Sequence, residues 1–297
     1  MSFIRLFYLA SLIFWSFSFL GNASAIKSNT IDLEALVAGV KHSDSLLKSG
    51  KGNLTIQPTI TEFGKKLLNI QGAEEGSNEF LFAYEGKKVY CEIYSGAFRN
   101  YICVFDGEKQ VEINKSTTPP GIGVRGEFTS FEPRSDLHYW GMIFNKQPIG
   151  EYLENNATAI LGKEYINKTL CYVIQAKCPG IETVKFWIAP SKGYRVLKRE
   201  YNTSYASGIP ATVTMVIEYE KSKSDMWFPK SGIDTTLALN KATGKKELVF
   251  KYSLTVKNFK LNVDVSDLFK LGISPDTEVF DFRTNSQRTA KDAGINN

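Results

Sequence analysis

Thr212-Val-Thr-Met-Val-Ile-Glu-Tyr219 alternates apolar and polar residues, so that Val213, Met215, Ile217 and Tyr219 fall on one face and Thr212, Thr214 and Glu218 on the other. A period of two marks a strand with one face turned to a core and the other to water. Segments of the same texture, rich in Tyr, Phe, Val, Ile and Thr, extend on both sides of it. They fall near 53–60, 78–85, 87–94, 100–105, 109–114, 157–162, 169–176, 183–189, 194–201, 211–220, 226–237 and 247–261. Hairpin signals such as Glu85-Gly86 and Asp106-Gly107 separate several of them at short intervals, which argues for an antiparallel meander rather than βαβ units.

Two helices interrupt this pattern. Asn29-Thr30 offers a cap, and Leu33, Leu36, Val37, Val40 and Leu47 recur at helical spacing, which predicts a helix over Ile31 to Ser49 stopped by Gly50 and Gly52. Pro148 suits a first turn, and Ile149, Tyr152 and Leu153 share a face, which predicts a short helix to Asn155. Residues 115–140, with Thr118-Pro-Pro-Gly and Phe131-Glu-Pro-Arg134, read as loop. The segment 285–297 is polar and turn-rich and is expected to be a disordered tail. No composition shift marks a second domain, so 26–284 reads as one.

Composition narrows the function. The chain of 297 residues carries 36 basic and 31 acidic residues spread along its length, with no basic stripe of the kind nucleic acid requires. Two histidines, His42 and His138, and four cysteines leave little raw material for zinc or for imidazole acid/base chemistry. Gly121-Ile-Gly-Val-Arg-Gly126 spells the dinucleotide fingerprint, but it follows Pro119-Pro120 and leads into Glu127-Phe-Thr-Ser, without the strand and helix that hold a pyrophosphate. It reads as loop. Asp136 and His138 beside Tyr139-Trp140 read as packing, for want of a third oriented partner. A non-enzyme without cofactor or metal is expected.

Residues 1–25 carry Arg5, an apolar run from Leu6 to Leu20 and an Ala23-x-Ala25 cleavage pattern, which predicts a removed secretory signal and a periplasmic or secreted mature chain. In an oxidising compartment the cysteines become disulfide candidates. Cys91 and Cys103 would lie opposite each other in a hairpin centred on Phe98. Cys171 and Cys178 can pair only if the chain turns between them, and cross pairing or free thiols stay open.

Leu161-Gly-Lys-Glu-Tyr-Ile-Asn-Lys-Thr-Leu-Cys-Tyr-Val-Ile174, Lys185-Phe-Trp-Ile-Ala-Pro190, Tyr194-Arg-Val-Leu-Lys-Arg-Glu200, the long strand around Met215 and Asp225-Met-Trp-Phe-Pro-Lys230 follow one another in an order that resembles the outer-membrane lipoprotein carrier superfamily, the LolA-like group. The resemblance implies a curved antiparallel half-barrel, mainly β, whose concave apolar face is covered by an N-terminal helix and a few short helices. It implies binding of a lipid or of lipoprotein acyl chains, with outer-membrane lipoprotein sorting as the suggested role. On such a sheet, alternation nominates Phe80, Phe82, Phe186, Ile188, Val213, Met215 and Ile217 as cavity lining, with Leu36 and Val40 of the helix above them. A core filled by the same side chains is the competing reading. An envelope-stress sensor or scaffold that docks on a membrane protein is the alternative function, and an exposed apolar patch outside the cavity would favour it.

Overall fold

A computed structural model describes residues 31–70, 76–95, 100–126, 142–144, 147–205 and 208–295. The signal expected at 1–25, the Asp136 and His138 neighbourhood and the hairpin tip at Phe98 lie outside the described residues. The chain divides into two compact units, Met1–Asp32 and Leu33–Asn297, and the architecture below is that of the second.

The alternating segment around Met215 is a strand of a single open, curved sheet of fifteen strands. The first arm of that sheet runs through β1 (Ser49–Ile60), β2 (Asn78–Glu85), β3 (Lys88–Ile93), β4 (Tyr101–Phe105), β5 (Gln110–Asn114) and β6 (Gly121–Arg125). A separate ribbon pairs β7 (Ile143–Phe144) with β8 (Gln147–Pro148). The second arm runs through β9 (Ala157–Ile166), β10 (Thr169–Cys178), β11 (Ile181–Ala189), β12 (Arg195–Ser204), β13 (Pro210–Lys221), β14 (Trp227–Asn240) and β15 (Lys245–Leu261). Each arm is an antiparallel meander, and the two join where β1 lies antiparallel to β15, from Gly50 opposite Leu261 to Ile60 opposite Phe250. The expected mainly-β curved sheet is the fold observed.

Glycines read as helix stops turn out to be strand residues. Gly50 and Gly52 lie within β1, where a Cβ would come within 2.7 Å of the Tyr84 ring and 2.8 Å of the Phe259 ring. The first helix, α1 (Leu33–Ser45), therefore ends earlier than expected. The loop expected over 115–140 contains β6, which pairs with β5 from Gly121 opposite Asn114 to Arg125 opposite Gln110. Its Gly123 lies under the Phe282 ring, 2.8 Å from where a Cβ would sit.

A helix absent from the expectation, α2 (Glu62–Leu68), is capped by Thr61, whose hydroxyl accepts from the Gly64 N–H, and closed by Asn69 in the left-handed region. It lays Phe63, Leu67 and Leu68 against Ala211, Ala238 and Val249, which lie on three neighbouring strands of the sheet. The expected helix after Pro148 is α3 (Ile149–Asn156).

The tail is likewise not the disordered segment expected. After β15 the chain crosses the first arm and forms β16 (Glu278–Asp281), parallel to β6, and β17 (Ser286–Thr289). Val265, Ile273, Val279, Ala290, Ala293 and Ile295 of this segment bury against Tyr90, Ile102, Val104, Val111, Ile113 and Val124. Small apolar residues spaced among polar ones suffice to hold it, because the surface beneath is already apolar.

Candidate ligand site

The site is built where α1 and α3 cover the second arm. Leu36, Val37 and Val40 of α1 and Ile149, Tyr152 and Leu153 of α3 are buried, as i, i+3 and i+4 neighbours on one stripe of each helix. The helices approach closely because Gly150 stands in the first turn of α3: a Cβ there would lie 2.6 Å from the Cα of Lys41. Phe144 meets Tyr152 and Phe186 edge to face, at 4.8 and 5.3 Å between ring centres, and the Arg199 guanidinium lies 4.7 Å from the centre of the Phe144 ring. Phe186 of β11 thus anchors the base of α3 to the sheet.

A buried polar tie holds the helix ends together. Asp44 Oδ2 accepts the Gly150 N–H at 2.8 Å, at the positive end of α3, while Arg195 donates from Nη1 to Asp44 Oδ1 at 3.2 Å and from Nη2 to the Ser43 carbonyl at 3.0 Å. One side chain of β12 therefore meets the end of α1, and Asp44 carries the link to the start of α3. Burial pushes the Asp44 carboxyl up to about 6, more than the Gly150 N–H and Arg195 pull it down. Burial also raises the hydroxyls of Tyr84 and Tyr219, which lie near enough to Arg195 for its charge to oppose the rise. At the surface Lys41 and Glu154 form a half-exposed ion pair at 2.6 Å.

Between α1, α3 and the start of β9 lies a cleft of about 580 Å3. Leu33, Val37, Ala38, Leu153 and Ala157 supply its apolar wall, and Glu34, Lys41 and Glu154 its charged groups. Among the described residues no group of three or more His, Cys, Asp or Glu is placed to hold a metal ion, and no helix is long and apolar enough to cross a membrane.

The residues nominated from the sequence fall into three places rather than along one wall. Phe80, Met215 and Ile217 are buried in a cluster with Leu54, Ile56, Trp187 and Leu254. Phe82 belongs to a neighbouring cluster with Leu47, Tyr84 and Val89, its ring stacked on Tyr84 at 5.9 Å and on Phe259 at 6.3 Å. Phe186 lies under α3, Ile188 is fully buried two residues along the same strand, and Val213 is half-buried. Leu36 and Val40 are buried on α1. Sequence reading did not nominate Leu33, Val37, Ala38, Leu153 and Ala157 of the cleft, nor Asp44 and Arg195. The helical stripe carried a signal for the leucines and Val37, but nothing in the sequence pairs Asp44 with Arg195.

Cys91 stands directly opposite Cys103 across β3 and β4, the register the hairpin required. Cys171 and Cys178 both lie in β10, so the turn their pairing required is absent.

No protein-family model matches the chain, and no curated protein matches it. Solved structures do. A domain from Vibrio parahaemolyticus assigned to outer-membrane lipoprotein sorting superposes with a TM-score of 0.52 at 12% identity, covering 80% of this chain and 95% of that one. The chain has the LolA-like fold. A DUF1329 family protein from Desulfovibrio piger superposes with a TM-score of 0.53 at 11% identity, over 81% of this chain and 97% of that one. At such identities the likeness is one of fold, and function has to be argued from the site.

Proposed function

We propose that this LolA-like chain is a non-catalytic, exported protein of the periplasm or extracellular space that binds a hydrophobic ligand, a lipid or the acyl chain of a lipoprotein. The cleft between α1 and α3 carries the reading: its volume lies within the roughly 300–1,000 Å3 of small-molecule sites, and its wall is aliphatic with a few charged groups beside it. An acyl chain seated on Leu33, Val37 and Leu153 would meet the apolar residues by which α1 and α3 pack together. Parting the helices would extend the site toward Phe186, Ile188, Leu36 and Val40, and deeper toward Phe80, Phe82, Val213, Met215 and Ile217. A role in outer-membrane lipoprotein sorting fits this chemistry.

The test is native mass spectrometry of mature protein purified from its own host, followed by extraction and lipid analysis. A stoichiometric acyl-bearing species, lost in the cleft variants Ala38→Arg and Ala157→Arg while both stay folded, is the expected result. A clean apo mass with no lipid acquired from membranes would overturn it.

A second reading, an envelope sensor or scaffold that docks on a membrane protein, draws on the apolar residues β9 and β10 leave exposed: Leu161 at 49%, Leu170 at 38% and Tyr165 at 71%. Capture of a membrane partner that is lost in Tyr165→Asp, with no lipid bound, would favour it.

A further inference from the structure

We propose that Cys91 and Cys103 are joined by a disulfide that forms while the chain folds, and that Cys171 and Cys178 remain thiols. Residues directly opposite on antiparallel strands have Cα atoms about 4.5 or 5.5 Å apart, according to their place in the ladder, and either spacing lies inside the roughly 4.4–6.8 Å a disulfide spans. Cys91 and Cys103 hold that relation, with Phe82 opposite Cys91 and Glu112 opposite Cys103 on the flanking strands. Cys171 and Cys178, seven residues apart in one continuous strand, are about 23 Å apart at 3.3 Å per residue, far beyond the about 7 Å limit for a bridge. Cys171 shares the buried cluster that contains Cys91, which makes it the competitor, but only Cys103 is in register with Cys91.

Burial sets the order of events, because Cys91 is enclosed in the core cluster with Phe80, Ile93 and Trp187, where a disulfide oxidant has little access to its sulfur. Burial also holds the Cys103 thiol well above its ordinary range, and the nearby Cys91 and Glu112 add to the rise. The thiolate that must attack an oxidant is therefore scarce once the sheet has closed, whereas in the unfolded chain both thiols ionise normally. The oxidant is a disulfide, small or protein-borne. One cysteine thiolate attacks it and displaces one of its sulfurs as a thiolate. The second cysteine then attacks the mixed disulfide and releases the other. Cys91 and Cys103 together lose two protons and two electrons, and the oxidant's S–S bond becomes two thiols. None of this depends on the ligand.

The experiment is refolding of reduced, denatured chain in a mixture of reduced and oxidised glutathione, followed by digestion with trypsin without reductant. Cleavage after Arg99 separates Val89–Arg99 from Asn100–Lys109, so the bridge is read as these two peptides held together. The expected outcome is that linked pair, two alkylatable thiols per denatured chain, and a melting temperature roughly 5–10 °C above that of Cys103→Ser. Folded, reduced protein given the same mixture should form the bridge at least about tenfold more slowly, given the scarcity of thiolate. Four alkylatable thiols after oxidative refolding, or linkage of Val89–Arg99 to a peptide carrying Cys171 or Cys178, overturns the pairing; equal rates from folded and unfolded chain overturn the order.

Discussion

The arm of the sheet that ends at β6 is covered on one face and continued at its edge by the chain's own C-terminal segment, whereas the arm that ends at β9 leaves the outer edge of a ten-residue strand without a partner strand among the described residues. An unpaired strand invites another to join it. At β6 the hazard is removed by parallel pairing with β16. At β9 it is managed by side chains and backbone. Leu161 is the extra residue of a bulge between Gly162 opposite Val173 and Ile160 opposite Ile174, and Gly162 takes a φ of +151°. Lys163 lies 4.9 Å from the centre of the Tyr172 ring, and Glu164 accepts the Trp187 indole N–H at 2.8 Å. Two copies paired antiparallel about Lys163 would set Leu161 against Tyr165 favourably but lysine against lysine at the centre. Cover fixes one edge, and charge guards the other.

That contrast can be broken most strongly at Ala290, a fully buried residue of the C-terminal segment itself. Ala290→Asp places a carboxylate against Val104 and its neighbours and should cost about 3–5 kcal/mol in urea unfolding. A cost under about 1 kcal/mol would show that the cover is dispensable. Next in size is Gly150→Val, whose Cβ would meet Lys41 backbone that cannot swing aside; about 2–3 kcal/mol is expected, read from the thermal midpoint and its enthalpy.

Two buried aspartates sharpen the comparison through pH. Asp44 has its folded value raised from the ordinary 3.8 to about 6, so ionisation costs the folded state free energy. Its contribution rises as pH falls through about 6 and is complete below the unfolded value, up to about 3 kcal/mol. Asp281, at the end of β16 within the C-terminal cover, accepts from Arg283 Nε at 2.8 Å and Nη2 at 2.7 Å and is lowered chiefly by those bonds. Its stabilisation is present above the unfolded value and is lost as pH falls through the lowered one. Asp44→Asn should therefore flatten the gain in stability between pH 7 and pH 5, and Asp281→Asn the loss below pH 4, both followed by urea midpoint against pH. Matching slopes in wild type and Asp44→Asn would refute the first. The smallest effect belongs to the bare edge: Tyr165→Asp should change stability by no more than about 0.5 kcal/mol.

Most strands were legible because one face of each is dry, and period two survives wherever water and core lie on opposite sides. The elements that escaped are those whose burial comes from distant chain. β6 carries two glycines, of which Gly123 only makes sense once Phe282 packs on it, and the anchors of the C-terminal segment, such as Val279, Ala290, Ala293 and Ile295, are scattered among polar residues. α2 carried a cap at Thr61 but only two turns of pattern. At the candidate site the apolar stripes of α1 and α3 were readable. The Asp44 and Arg195 tie was not, because no local periodicity links residues 151 positions apart.

The pairing of β1 with β15 joins positions some two hundred residues apart in sequence, and it is where the two arms meet in the strand order. Such distant pairing makes folding slow, since a very long loop must close before the central ladder gains anything. Until the last fifth of the chain has been made, β1–β6 and β9–β14 can form only as two separate meanders. A polypeptide delayed in this way stays threadable, and under the export proposed above topology itself would serve as the timer.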